Sequence, residues 1–254
     1  IPKGKMTAVV GPSGAGKSSL VNLLARLYDC GGGRICVDGV DLRAFDLTSW
    51  RRQIAVVSQD IFIFNDTVRA NLRFARPTAT DAELFEAAEL AQAHTFIMAL
   101  PQQYDTLLGD RGVRLSGGQQ QRLAIARAIL AAPQLLIFDE ATSALDSETE
   151  QALQQAIEDY GRTRTLLVIA HRLSTICRAD NIVVLEAGQV VEQGTHETLL
   201  AHHGLYQRLV QAQQLEDWMT VSDQHNGHST RPAGPAAKLQ TGPTENAQGE
   251  QVFC

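Results

Sequence analysis

Apolar residues in this chain follow two rhythms that alternate along most of its length. Met6 to Val10 is a short β-rich run that stops at a glycine. From Lys17 to Leu27 the apolar positions Leu20, Leu23, Leu24 and Leu27 then take helical spacing, so this stretch predicts strand, loop and helix. Arg34 to Asp38 and Ile54 to Val57 predict two further strands. From Thr80 the pattern turns helical: Thr80 and Glu83 have the spacing of a reciprocal cap, ahead of Leu84, Ala87, Ala88 and Ala91. A long helical pattern runs from Gly117-Gly118 to Ala131 and is stopped by Pro133, which has no N–H to continue it. Leu135 to Phe138 then predicts a strand, Ser147 with Glu150 opens another capped helix, and Thr165 to Ile169 is again strand-like. Asn181 to Leu185 and Gln189 to Glu192 meet through Ala187-Gly188 as a hairpin, and Tyr206 to Leu215 is a last amphipathic helix. Apolar strands alternating with helices mean a parallel sheet covered on both faces, an α/β fold.

Composition removes several classes. With 254 residues, 44% hydrophobic and 20% charged, the chain can bury one substantial core and is neither collagen-like, coiled-coil nor wholly disordered. The 28 acidic against 22 basic residues give a net charge of -6, the wrong sign for binding nucleic acid through general electrostatics, so no nucleic-acid partner is expected. Local anion sites stay open. No apolar run approaches the roughly 18 residues that cross a bilayer. Ile1-Pro2-Lys3-Gly4 has neither an initiator Met nor the layout of a secretion signal, so the chain reads as cut from something longer. Cys30, Cys36, Cys177 and Cys254 lack paired spacing, which predicts no zinc or disulfide framework and a reducing, intracellular setting. From residue 218 to 254 glycines and prolines punctuate a polar stretch with few bulky apolar residues, and a disordered tail is expected there.

The chemistry begins after the first strand. Gly11-Pro12-Ser13-Gly14-Ala15-Gly16-Lys17-Ser18 fits G-x-x-x-x-G-K-[ST] between a strand and a helix. Its glycines let successive backbone N–H groups turn toward a polyphosphate at a positive helix end. Lys17 reaches the β and γ phosphates, and the Ser18 hydroxyl is a Mg²⁺ ligand, with Ser19 following it. This predicts a nucleoside triphosphate site and leaves ATPases, GTPases and small-molecule kinases all open. Leu135-Leu136-Ile137-Phe138 delivers Asp139 and Glu140 to the carboxyl end of a buried strand, where ligands sit in open α/β sheets. Asp139 would hold Mg²⁺ and Glu140 would polarise an attacking water. Leu115-Ser116-Gly117-Gly118-Gln119 makes a second anion site at a helix start, one more than a single triphosphate needs.

With that motif the chain resembles the nucleotide-binding domain of an ATP-binding cassette (ABC) transporter. The resemblance covers nearly all of residues 1 to 213, with motifs in family order: the P-loop, Gln59 as Q-loop, Ser116 to Gln119 within the signature, Asp139 and Glu140 as Walker B and catalytic glutamate, Ser143-Ala144-Leu145-Asp146 as D-loop, and His171 as switch histidine. It implies an ABC-type P-loop core over about 1–217, with a helical subdomain near 66–132 and the N-terminal antiparallel strands largely missing. It also implies that two such domains pair head to tail as a homo- or heterodimer. Each ATP with its Mg²⁺ then lies between the P-loop of one and Ser116, Gly117, Gly118 and Gln119 of the other, and Asp146 sits at their interface. Gln59 would coordinate Mg²⁺ and the attacking water, and His171 would donate to the γ-phosphate.

The stretches Ser58 to Val68, Gly109 to Gly112 and Ala170 to Thr175 resemble exporters that carry membrane helices and ATPase on one polypeptide. The membrane domain is then expected upstream, docked near Phe62, Phe64 and Asn65, with the ATPase on the cytoplasmic face. Two departures stand out: the adenine-stacking aromatic that the family carries ahead of the P-loop is absent from this chain, and Gln120 replaces a frequent arginine. The competing expectation is a soluble ABC ATPase of the repair or translation type, and such relatives insert long coiled coils or a second cassette.

Overall fold

Two apolar faces of one sheet organise the chain. The structure, a computed structural model, describes residues 1–109, 115–139, 155–157, 159–161, 164–170 and 173–213. Its strands are β1 (Met6–Val10), the short β2 (Cys36–Val37) and β3 (Val40–Asp41), β4 (Ile54–Val57), β5 (Leu135–Asp139), β6 (Thr165–Ile169), β7 (Asn181–Glu186) and β8 (Gln189–Gly194). Among the described residues the main sheet has the order β4-β5-β6-β1-β7-β8. All neighbours pair in parallel except β8, which returns antiparallel to β7. In β1, Ala8 and Val10 face one side with Leu136, Phe138, Leu166 and Val168. Val9 faces the other side with Ile137, Leu167 and Ile169. Both sides are buried, which is why these strands read as unbroken apolar runs rather than alternating ones.

Helix α1 (Lys17–Leu24) covers the Val9 side through Val21 and Leu24. The periodicity extends it to Leu27, but Arg26 turns left-handed at φ 50° and Leu27 is left 57% exposed. The end is set by tertiary contact: on α2 (Leu47–Arg52), Trp50 Nε1 donates to Leu24 O at 2.8 Å and an Arg51 guanidinium N–H donates to Arg26 O at 2.9 Å. The strand expected at 34–38 shrinks to β2. It pairs with β3 through Asp38 and Gly39, at φ 48° and 84°, as an Asp-Gly turn demands.

The other face packs against helices contributed mainly by the middle of the chain: α3 (Val68–Arg73), α4 (Asp81–Leu90), α5 (His94–Met98) and α6 (Gly117–Leu130). Helix α4 starts on the expected reciprocal cap, with Glu83 N–H donating to Thr80 Oγ1 and Thr80 N–H to Glu83 Oε2. Helices α3 and α4 lie against α6, and Leu72, Leu84 and Leu123 are fully buried. Helix α7 (Leu173–Ile176) connects β6 to β7, and after β8 come α8 (His196–Ala201) and a helical stretch at 205–213. The start of the helix expected from Ser147 and the tail expected from 218 lie outside the described residues, while 155–157 and 159–161 are helical.

Candidate nucleotide-binding site

Because five strands run the same way, their carboxyl ends open on one rim, and three of them deliver the candidate residues. Strand β1 ends in the loop 11–16, whose glycines take backbone conformations that other residues rarely adopt. Gly11 sits at φ 155°, and a Cβ there would lie 2.2 Å from the Leu185 carbonyl oxygen. Gly14 and Gly16, at φ 77° and 101°, turn the loop so that α1 begins with no side-chain cap and no acidic residue in its first turn. The N–H groups of that turn are therefore left for an anion, with the helix dipole behind them. Pro12, Ser13 and Gly14 are exposed, whereas Ala15 is buried. The loop is braced from a distance: Gly188 N–H, in the β7–β8 turn, donates to Ala15 O at 3.0 Å.

Lys17 folds back over the loop, and its ammonium donates to Gly11 O at 2.8 Å and Pro12 O at 3.0 Å while the residue is only 9% exposed. A buried ammonium held by carbonyls is poised for a stronger acceptor such as phosphate. Lys17, Ser18 and Ser19 share a cleft of about 360 Å³ with Gln59, two residues past the end of β4, and Asp139, the last residue of β5. The chemistry of this set suits MgATP. The loop and Lys17 are donors for a polyphosphate. A hydroxyl, a carboxylate and an amide oxygen are hard oxygen ligands of the kind Mg²⁺ takes one or two at a time while keeping its waters. Ile169, at the end of β6, also lines the cleft; sequence reasoning missed it, and only the register Val9↔Ile169 and Asp139↔Ile169 reveals it.

Ser116, Gly117, Gly118 and Gln119 stand apart, at the start of α6, and are not among the residues lining this cleft. Ser116 Oγ accepts from Gln119 N–H at 3.3 Å, and Gln119 Oε1 accepts from Ser116 N–H at 3.0 Å. In this conformation both side chains cap the helix, and Gly117 and Gly118 present backbone only. Leu115, buried, anchors the turn, and Gln120 Nε2 donates to Leu115 O at 3.2 Å. Glu140, Asp146 and His171 lie outside the described residues.

A second concavity, about 1000 Å³, opens beside the edge strand β4. Phe62 and Phe74, 60% and 64% exposed, line it, and Phe64 packs between them with ring centroids at 4.9 and 4.3 Å. Arg127 of α6 borders it too, and burial pulls the pKa of its guanidinium below the ordinary arginine value.

A parallel α/β sheet whose first strand opens into this loop, with a second strand ending on an aspartate in the same cleft, defines a P-loop nucleotide-binding domain. Residues 1–143 match the ABC transporter family, and the chain belongs to it. Multidrug export ATP-binding/permease proteins of Staphylococcus aureus strains NCTC 8325 and COL are each 54% identical over 215 residues, covering 85% of this chain and 37% of theirs. The solved structure of a bacterial Atm1-family ABC exporter with ATP bound superposes with a TM-score of 0.81 at 46% identity, over 84% of this chain and 37% of that one. The chain thus spans under two-fifths of the length of these relatives.

Proposed function

We propose that this chain is the ATP-binding and ATP-hydrolysing motor domain, about residues 1–217, of an exporter. In this reading the domain works on the cytoplasmic face of a membrane and drives transport by nucleotide-dependent pairing with a second ABC domain. The observation that carries the reading is the convergence of Lys17, Ser18, Gln59 and Asp139 in one cleft of a chain with this family membership. The permease portion in the names of the relatives favours a membrane domain fused upstream and disfavours the soluble repair or translation type.

Lys17 and the N–H groups of the loop bind and orient the phosphates. Ser18, Asp139 and Gln59 would hold Mg²⁺, directly or through its waters. Mg²⁺, when bound, neutralises charge on the phosphoryl oxygens as it develops. Glu140, one residue past β5, takes the proton of the attacking water as general base, and His171 donates to the γ-phosphoryl oxygens. Ser116 to Gln119 serve the nucleotide held by the partner domain, with Asp146 at the interface, and the helical subdomain near 66–132 carries that surface. The concavity beside β4, with Phe62 and Phe64, receives the membrane domain.

In the full-length polypeptide, Glu140→Gln is expected to retain ATP binding while turnover falls by about 10² to 10⁴, the usual contribution of a general base. Undiminished turnover in that variant would overturn the assignment.

A further inference from the structure

The segment between Gln59 and α3 is fastened to α6 by two side chains, and neither belongs to the nucleotide cleft. Asn71, fully buried in α3, accepts from Phe64 N–H through Oδ1 at 2.8 Å. Its Nδ2 donates to Phe64 O at 3.0 Å and Thr67 O at 3.0 Å. Arg127 reaches across from α6: Nε donates to Asn71 O at 3.0 Å, and its two terminal nitrogens donate to Phe62 O at 2.9 Å and Asn71 Oδ1 at 3.1 Å. The same guanidinium lies over the Phe64 ring, 5.4 Å from its centroid. The far side of the segment is tied as well, by Val68 N–H to Thr106 O at 3.1 Å and Leu108 N–H to Asp66 O at 2.9 Å.

Each bond alone contributes modestly, but the arrangement is directional. Arg127 lies ten residues beyond Gly117 on one uninterrupted helix, about 15 Å along its axis. An α-helix of that length transmits displacement rather than absorbing it, and packed elements shift between discrete arrangements.

We infer that Asn71 and Arg127 are positioning residues that join segment 62–67 and α6 into one body, so that a displacement at Phe62 is delivered to Ser116–Gln119 at the other end of the helix. The inference rests on the reading above that Phe62 and Phe64 face the membrane domain, and it names the route by which docking there reaches the surface offered to the second ATP. Arginine suits the task because its planar fork holds several backbone and side-chain acceptors at once, of which a lysine ammonium could keep only some.

The test uses the full-length polypeptide in a cysteine-free background, with spin labels at Phe62→Cys, Gln120→Cys and Gln189→Cys taken in pairs, and MgATP as the probe. The 62–120 distance is expected to stay narrow and unchanged on adding MgATP, while the 62–189 and 120–189 distances shift together. A 62–120 distance that changes as freely as the other two, or no shift of either against position 189, overturns the inference. In nucleotide-free protein, Arg127→Gln should broaden the 62–120 distribution, and an unchanged width also overturns it. This arm needs no turnover, so it separates failure of the clamp from failure of the motor reading, which an inactive parent protein would reveal. Kinetically, Arg127→Gln should lower kcat about fivefold with KM for ATP within about twofold, with partial recovery in Arg127→Lys. An equal rise in KM, or no recovery in the lysine variant, would mark a merely structural role. If the glutamine variant fails to fold, Arg127→Lys decides through the same width and kinetic measurements.

Discussion

Gly11 carries the tightest constraint at the scale of single residues. Its φ of 155° and the Leu185 carbonyl 2.2 Å from where a Cβ would stand leave room only for hydrogen, and the obstructing atom is backbone of a central strand rather than a yielding side chain. Gly11→Ala is therefore expected to lose about 2 kcal/mol or more of folding stability, the scale of backbone strain combined with overpacking, measured by urea unfolding of the domain. A loss below about 0.5 kcal/mol, the range of ordinary surface substitutions, would contradict the tight approach. Lys17 differs in kind: its ammonium already satisfies Gly11 and Pro12 carbonyls, so its partners on the protein are intramolecular stand-ins for the phosphate oxygens of the proposed ligand.

Among elements, the helix starts divide cleanly by what sets them. Thr80 and Glu83 were legible because the capping spacing is local, and Thr80→Ala should cost about 1 kcal/mol, read as a lower urea midpoint at unchanged m-value. Ser116 and Gln119 read from sequence as anion ligands, yet the structure shows the same two side chains capping each other. The short helix α8 has a third such cap, between Thr195 and Thr198, which no Glu or Gln announced. The failures came where distant residues decide. Leu27 keeps the helical rhythm, but Trp50 and Arg51 close α1 before it. The strand at 34–38 shortens to the two residues that the Asp38-Gly39 turn can pair.

For the whole molecule, most of the cleft was readable because its polar residues lie at or just after the carboxyl ends of recognisable strands, and parallel order puts those ends together; Ile169 was the exception. The brace from Gly188 to Ala15 and the fastening of Phe62 to Arg127 were not readable, since each joins positions far apart with no shared pattern. The fold and the cleft also make a joint thermodynamic prediction. A ligand that binds only the folded state raises stability, by about 2.7 kcal/mol at a hundredfold excess over Kd. MgATP should therefore raise the thermal midpoint in proportion to the logarithm of its concentration, and Lys17→Met should abolish the rise while melting near the parent temperature without ligand. A concentration-independent midpoint in the parent protein would contradict nucleotide binding by this cleft.

Strand β1 lies between β6 and β7, and both neighbours come from the last third of the described chain. A ribosome that has just released Met-Thr-Ala-Val-Val must therefore add about 160 more residues before either flank is covered, roughly ten to thirty seconds at ordinary elongation rates. Strand β1, which leads into the proposed phosphate loop, thus spends the longest time of the described strands with both edges uncovered, and chaperone dependence during synthesis should centre on it.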